Sequence, residues 1–376
     1  MRREITYVLR NRWQLASVTL LPLLTIGVGF WIFVDGTPRH LPIAVIDEDR
    51  SRVSNDIVLA LRADPNLQVA YQAPSGGDPL SPIRGGRVYG TVVLQSGLQR
   101  DLEHGHLQAI PFYINSQSLL TTGILSRELQ TVVGIASISM QATQLGKKGA
   151  PAATAVADVL PLSTAVRSLY NPRQDYETYL GDPIVFSILA LLVVLIATES
   201  LGRELRDGTA REWIAISGGV VRAILGKLTP YFAIFCMYSI AAAIIFSIRE
   251  GSSHGIGIVL LATVLLVAAY AALAVAIVGI TGNIGRALSL ASLYTAAAFA
   301  FAGVTFPLTS ARPFARWFSA SMPLPYYLEL RTGQLQLLAP AYDAARDLLV
   351  LVFFVLFGLG IGMLGFRSVL RNDSGS

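Results

Sequence analysis

Residues 201–227, LGRELRDGTAREWIAISGGVVRAILGK, separate two runs too apolar for water. IVFSILALLVVLIAT precedes them and PYFAIFCMYSIAAAIIF follows. The stretch carries five basic residues, Arg203, Arg206, Arg211, Arg222 and Lys227. It also carries signals to stop a helix and start another. Residues 204–207 read as the last turn of a helix leaving the first apolar run, and Gly208 can take the left-handed conformation that ends it. Thr209 and Glu212 have the Thr-x-x-Glu spacing of a capping box, which predicts a new helix. Trp213, Ile216, Val220 and Ile224 recur at helical spacing, and Gly218–Gly219 breaks or bends that helix. A plain connector between two neighbouring helices needs only about 2–8 residues. The spare length, with its charges and its tryptophan, predicts a short surface helix built for docking.

Composition agrees that much of the chain faces lipid. The 376 residues are 53% hydrophobic and 14% charged, with mean hydropathy +0.55, against about 25% charged in soluble domains. Cys236 is alone, so there is no disulfide framework and no cysteine metal site. The net charge of +5 sits beside apolar runs, the pattern of membrane topology and not of nucleic-acid binding.

A crossing takes about 20 apolar residues. Six runs qualify: 13–34, 184–201, 230–248, 256–281, 287–307 and 348–366. The fifth is the least clean, being rich in Ala, Ser and Thr. The first is too long for a signal peptide and is followed by DGTPRH without a small-residue cleavage site, so it reads as a retained anchor. Twelve basic residues fall on one side in the short loops and tails: Arg2, Arg3, Arg10, Arg12, the five above, Arg286, Arg367 and Arg371. The other side has Arg249, Arg312, Arg316, Arg331 and Arg346. The positive-inside rule then puts both termini, the tail 367–376 and loop 202–229 in the cytoplasm. Residues 1–12 predict an interfacial helix with Ile5, Val8 and Leu9 on one face, although simple flanking charge explains that stretch equally well.

Residues 35–183 read as an α/β domain outside the membrane. LPIAVID, LQVAYQ, RVYGTVVLQ and AIPFYIN are strand-like, and SRVSNDIVLALRA is a helix with Ser51 as N-cap. GLQRDLEHG reads as a turn and short helix. Residues 118–148 form a long helical segment whose Gln, Ser, Thr, Arg127 and Glu128 argue against a further crossing, and GKKGAPAATA reads as a bend. Asp47, Glu48 and Asp49 lack the glycine and distal glutamate of a calcium loop and read as a solvated turn. His104 and His106 lack a third ligand. Ser51 and Ser54 have no nucleophile motif around them.

Gly226-Lys227 invites comparison with a phosphate loop, but Val221 and Leu228 stand where glycine and Ser or Thr are required. Glu199 is the only acidic residue inside the six runs, which offers no proton relay. The energy is therefore expected to come from elsewhere.

In order along the chain, several stretches resemble the ABC type-2 transporter permeases, in the exporter subclass with a large extracytoplasmic domain after the first span. LPIAVIDEDRSRVSNDIVLAL and LQRDLEHGHLQAIPFYIN resemble blocks of that domain. SLYNPRQDYETYLGDP resembles its Asn-Pro element at Asn171 and Pro172. RELRDGTAREW matches at Arg203, Glu204, Gly208, Thr209 and Glu212. GKLTP matches the start of the third span at Gly226, Lys227 and Pro230. AFAGVTFPLTSARPFARWFSASMPLPYYLELR resembles the exit of the fifth, with Gly303, Pro307, Pro323 and Tyr326 or Tyr327. WIAISGG departs from the family's Leu-rich run ending near a proline.

The resemblance implies a polytopic α-helical membrane protein of six transmembrane helices with the α/β domain inserted between helices 1 and 2. It implies that loop 202–229 is a coupling helix for a separate ABC ATPase, with Arg203, Glu204, Gly208, Thr209, Glu212 and Trp213 as its coupling residues. It implies two ATPases and two permeases in the bacterial inner membrane, with residues 35–183 periplasmic and 308–345 as a re-entrant segment shielded by protein. Spans one and five would meet the second permease. A periplasmic membrane-fusion protein and membrane lipid are further partners, with no nucleic acid and no cofactor. The cargo would be a drug, lipid or other lipophilic compound. Two other classes compete. A sensor needs a cytoplasmic output module, and the longest cytoplasmic stretch read here is the loop. An intramembrane enzyme needs HExxH, paired intramembrane aspartates, or Ser and His within spans, and none stands out; a scaffold has no positive mark.

Overall fold

The computed structural model describes residues 2–33, 38–73, 76–104, 109–116, 119–147, 175–304, 306, 308 and 311–372. The Asn171–Pro172 element, Pro307, His106 and the bend after residue 147 lie outside the described residues. The chain forms two compact units, residues 37–167 and the remainder.

The smaller unit is built on a βαβ element. β1 (Leu41–Asp47) pairs in parallel with β2 (Leu67–Ala73) and β3 (Gly90–Leu94), and β3 pairs antiparallel with β4 (Phe112–Ile114), giving the order β2-β1-β3-β4. The central strand is buried almost throughout, as parallel strands are. RVYGTVVLQ yields a shorter strand than its sequence suggests, starting at Gly90. A Cβ there would come within 2.9 Å of Leu125 Cδ2, so the glycine is what lets the long helix lie close. α3 (Arg52–Ala63) covers the sheet with Ile57, Val58 and Leu61. α6 (Leu119–Lys147) adds Ile124, Leu125 and Leu129 to the same core. Two short helices, α4 (Ser81–Arg84) and α5 (Leu98–Glu103), fill the connections.

Ser51 caps α3 as its sequence predicts, with Ser54 as the reciprocal partner. The acidic run is a set of loop fasteners. Asp47 Oδ1 accepts from the N–H groups of Asp49 and Arg50, and Glu48 Oε1 from Gly76. Asp49 accepts from Gly97 N at 2.7 Å and Gln99 N at 3.1 Å, which binds the start of α5. Burial pushes the Asp49 carboxyl up, but hydrogen bonds from Ser51, Gln99, Gly97 and Leu98 outweigh it and hold the group below its ordinary value. His104 is occupied through Nδ1 by the Arg100 carbonyl.

The larger unit is helical. α1 (Arg2–Arg10) precedes α2 (Arg12–Phe33). After a π-turn (Glu177–Gly181) come α7 (Asp182–Arg206), α8 (Ala210–Ser217), α9 (Val220–Glu250) and α10 (Ile256–Thr281). Then follow α11 (Ile284–Ala297), α12 (Pro313–Ala320), α13 (Pro323–Leu335) and α14 (Ala344–Asn372). Among the described residues five helices are long and apolar enough to cross a membrane: α2, the π-turn with α7, α9, α10 and α14.

The fifth run does not form a helix of crossing length. α11 has 14 residues, a rise of about 21 Å, against a core of about 30 Å. Turns follow it, with Gly303 at φ +81°. Within residues 308–345 two short helices form, and Pro313 and Pro323 occupy their first-turn positions, where a missing N–H costs nothing.

Small residues carry a close backbone contact between α10 and α14. A Cβ on Gly358 would sit 2.9 Å from the Ala272 backbone, one on Gly362 2.6 Å from the Val275 carbonyl carbon, and one on Gly365 2.4 Å from that of Gly279. The GxxxG spacing of Gly358 and Gly362 therefore serves packing within one chain.

Candidate functional site

The loop between α7 and α9 is made of two glycine stops with one helix between them. α7 ends in a paired set of hydrogen bonds, Thr209 N to Glu204 O at 3.0 Å and Gly208 N to Leu205 O at 3.4 Å, with Gly208 at φ +70°. α8 ends the same way, through Gly219 N to Ile214 O and Gly218 N to Ala215 O, with Gly218 at φ +74°. This is the Schellman closure, used twice. The expected capping box is not formed. Thr209 heads α8 without accepting from its backbone, and its hydroxyl donates instead to Glu204 Oε2 at 2.5 Å. The charge-assisted bond to the carboxylate holds the hydroxyl toward α7, and the Thr209 backbone, at φ −94° and ψ 3°, lacks the extended conformation of an N-cap.

The helical face read across Trp213, Ile216, Val220 and Ile224 is also split by the break at Gly218–Gly219. Trp213 is buried, edge-on to Phe366 at 6.4 Å between centroids and 5.4 Å from Lys227 Nζ. Ile216 is 76% exposed. Arg211, Glu212 and Arg222 are exposed around it, and so are Arg206, Asp207 and Gly208 on the preceding turn.

Beneath the loop lies a buried ionic cluster. Glu4 of α1 accepts from Arg203 Nη2 at 2.7 Å, Lys227 Nζ at 2.6 Å and the Tyr231 hydroxyl at 3.2 Å. Glu204 accepts from Lys227 Nζ at 2.6 Å, from Thr209 and from Arg3. Arg203 also lies over the Tyr7 ring at 3.6 Å. Glu4, Arg203, Glu204 and Lys227 are all buried. Of the residues singled out by resemblance, Arg203, Glu204, Thr209 and Lys227 thus meet in one cluster and Trp213 leans on it. Glu212 and Gly208 stay outside. Gly226 has open space at its Cβ, Gly303 lies in a turn and Pro323 opens α13, both outside this cluster. Glu4 was missed: in the sequence it looks like one acid among flanking arginines. Glu199, the acid that was noted, takes a 2.9 Å hydrogen bond from Gln14 Nε2.

A second cluster sits at the other end of α7. Arg331, 1% exposed, pairs with Asp182 and meets Glu250 at 3.4 Å, while Arg249 pairs with Glu177. Gln336 Nε2 donates to Glu250 at 3.3 Å. It ties the start of α7 and the end of α13 to the end of α9. These acids escaped the sequence reading because they lie just beyond the apolar runs on the same continuous helices. From Asp182 to Arg203 the helix rises about 32 Å, close to the thickness of a hydrocarbon core. Between the clusters the packing is apolar, built around Val194, Phe235, Tyr270 and Val275. Among the described residues no group of His, Cys, Asp or Glu could hold a metal ion.

Apolar helices of crossing length, with ionic layers at both ends of one of them, define a multi-pass helical membrane protein. The chain belongs to the ABC-2 transporter family: the model of the ABC-2 family transporter protein matches residues 12–364. It is accordingly a membrane permease of an ABC transporter. No curated protein matches it.

Proposed function

We propose that this permease is an exporter subunit powered by a separate ABC ATPase, and that α8 is where the ATPase docks. The observation that carries this is the construction of the loop. A rigid eight-residue helix is held between two glycine stops on a buried ionic cluster, and its outer face presents Ile216 amid exposed charge. An apolar anchor within a charged rim is the usual anatomy of an interface hot spot. Glu212 and Gly208 belong to the contact face on this reading, while Arg203, Glu204, Thr209, Trp213 and Lys227 fix its position.

The working unit has two permeases and two ATPases in a bacterial inner membrane. Loop 202–229 and both termini are cytoplasmic, and residues 35–183 are periplasmic. The sixth crossing is completed by α11 with the turns and short helices after it, which are shielded by the rest of the bundle. Leu20, Leu24, Trp31 and Ile32 on α2 are exposed, as suits a face turned to lipid or to the second permease. The cargo is lipophilic, and a periplasmic fusion protein is a further partner.

The test is co-expression with the transporter's ABC ATPase. Wild type should pull it down and stimulate its ATP hydrolysis, and Ile216→Glu should do neither while remaining inserted. A complex as strong with Ile216→Glu as with wild type refutes the docking site.

A further inference from the structure

At the Arg331 end of the helical unit lies a cavity of about 980 Å3, large enough for a drug-sized ligand. Pro183, Ala302, Val304, Leu308, Leu328 and Leu337 give it apolar walls. Four carboxylates line it, Asp182, Glu329, Asp343 and Asp347, and among the described lining residues there is no lysine or arginine. The nearby Arg331 is shared between Asp182 and Glu250, so its charge is already more than met. Asp347 is buried, and its Oδ1 has no hydrogen-bond partner among the described residues. Asp182 is buried too, with Oδ2 on Arg331 and Oδ1 unpartnered. A buried carboxylate oxygen without a donor is costly. Arg346, next to Asp347, acts on it through charge but does not hydrogen-bond this oxygen, and a ligand that brings positive charge would satisfy it.

The spread of the acids narrows the ligand. An inorganic cation wants several oxygens converging within a few ångströms, and no such group exists among the described residues. Carboxylates dispersed over a wide apolar wall suit one diffuse charge on a bulky apolar body.

We infer that this cavity is a substrate subsite for lipophilic organic cations, with Asp347 and Glu329 supplying the counter-charge. As a step in export the inference rests on the function proposed above; as a binding site it does not, because no ATPase is needed to occupy it.

The experiment uses the full-length permease in nanodiscs of zwitterionic lipid, without ATPase. Equilibrium binding is measured for tetraphenylphosphonium and for tetraphenylborate, ions of like shape and opposite charge. Wild type should bind the cation and not the anion. Asp347→Asn should weaken cation binding by at least about tenfold, the scale of one charge-assisted contact. Glu329→Gln, at an exposed position, should also weaken it, and decides the matter if Asp347→Asn does not fold. Equal binding of the two ions, or cation binding that neither substitution changes, overturns the inference. Either result leaves the docking of the ATPase on α8 to be judged separately by pull-down.

Discussion

Glu4→Ala should destabilise the helical unit far more than any other single change in α1. The substitution removes an acceptor that serves Arg203, Lys227 and Tyr231 at 2.7, 2.6 and 3.2 Å. Buried Arg203 then loses the acid it pairs with, and Lys227 keeps only Glu204, which Arg3 also contacts. Breaking a buried pair by deleting one partner costs about 3–5 kcal/mol, because the other charge stays desolvated and unmatched. At about 2–4 °C per kcal/mol for a unit of this size, the melting temperature should fall by roughly 6–20 °C. Fluorescence-detected size exclusion of heated, detergent-solubilised protein measures it, with exposed Arg10→Ala as the control. Lys227→Met added to Glu4→Ala removes one stranded cation, so the double variant should lose less than the sum of the singles. A Glu4→Ala shift no larger than that of Arg10→Ala, or strict additivity in the double variant, would refute the role given to the cluster.

Gly358→Leu with Gly362→Leu should lower yield and thermal stability of the monomer, since overpacking costs about 1–3 kcal/mol per site even in soluble cores and here the side chains meet the α10 backbone; a stable, well-folded monomer would move these glycines to an interface between subunits. With Cys236 replaced by Ser, Asn55→Cys should react with an impermeant thiol reagent in spheroplasts and Asp207→Cys should not, and the reverse pattern would invert the topology. Asp49→Asn should loosen the start of α5, seen as faster amide exchange at Gly97 and Gln99. Because the folded-state pKa of Asp49 is depressed, its contribution is present above the ordinary value of 3.8 and is lost as pH falls through the lower folded value. The difference in amide protection between wild type and Asp49→Asn should therefore be full near neutral pH and vanish in acid.

Much of the fold was legible because lipid imposes long apolar runs and because turn chemistry is local. Gly208 and Gly218 were readable as helix stops since few other residues take a left-handed turn cheaply. Ser51 was readable as a cap since its partner is three residues away. What stayed hidden was non-local. Glu4 meets Lys227 across more than two hundred positions, and neither residue advertises the other. Thr209 turns its hydroxyl to the Glu204 carboxylate and its backbone is not extended as an N-cap's is, which spacing alone does not reveal. The run at 287–307 reads as a span by composition, but its helix stops at Ala297 and turns follow, with Gly303 left-handed further on. The acids at Asp182, Glu250 and Asp347 fell outside apolar windows although they sit on the same helices.

Docking of an ATPase on α8 can be read out by photo-crosslinking in the assembled transporter. A crosslinking residue placed at Ile216 should form an adduct with the ATPase subunit, while the same residue at exposed Tyr342 should not. An adduct at Tyr342 with none at Ile216 would contradict the account.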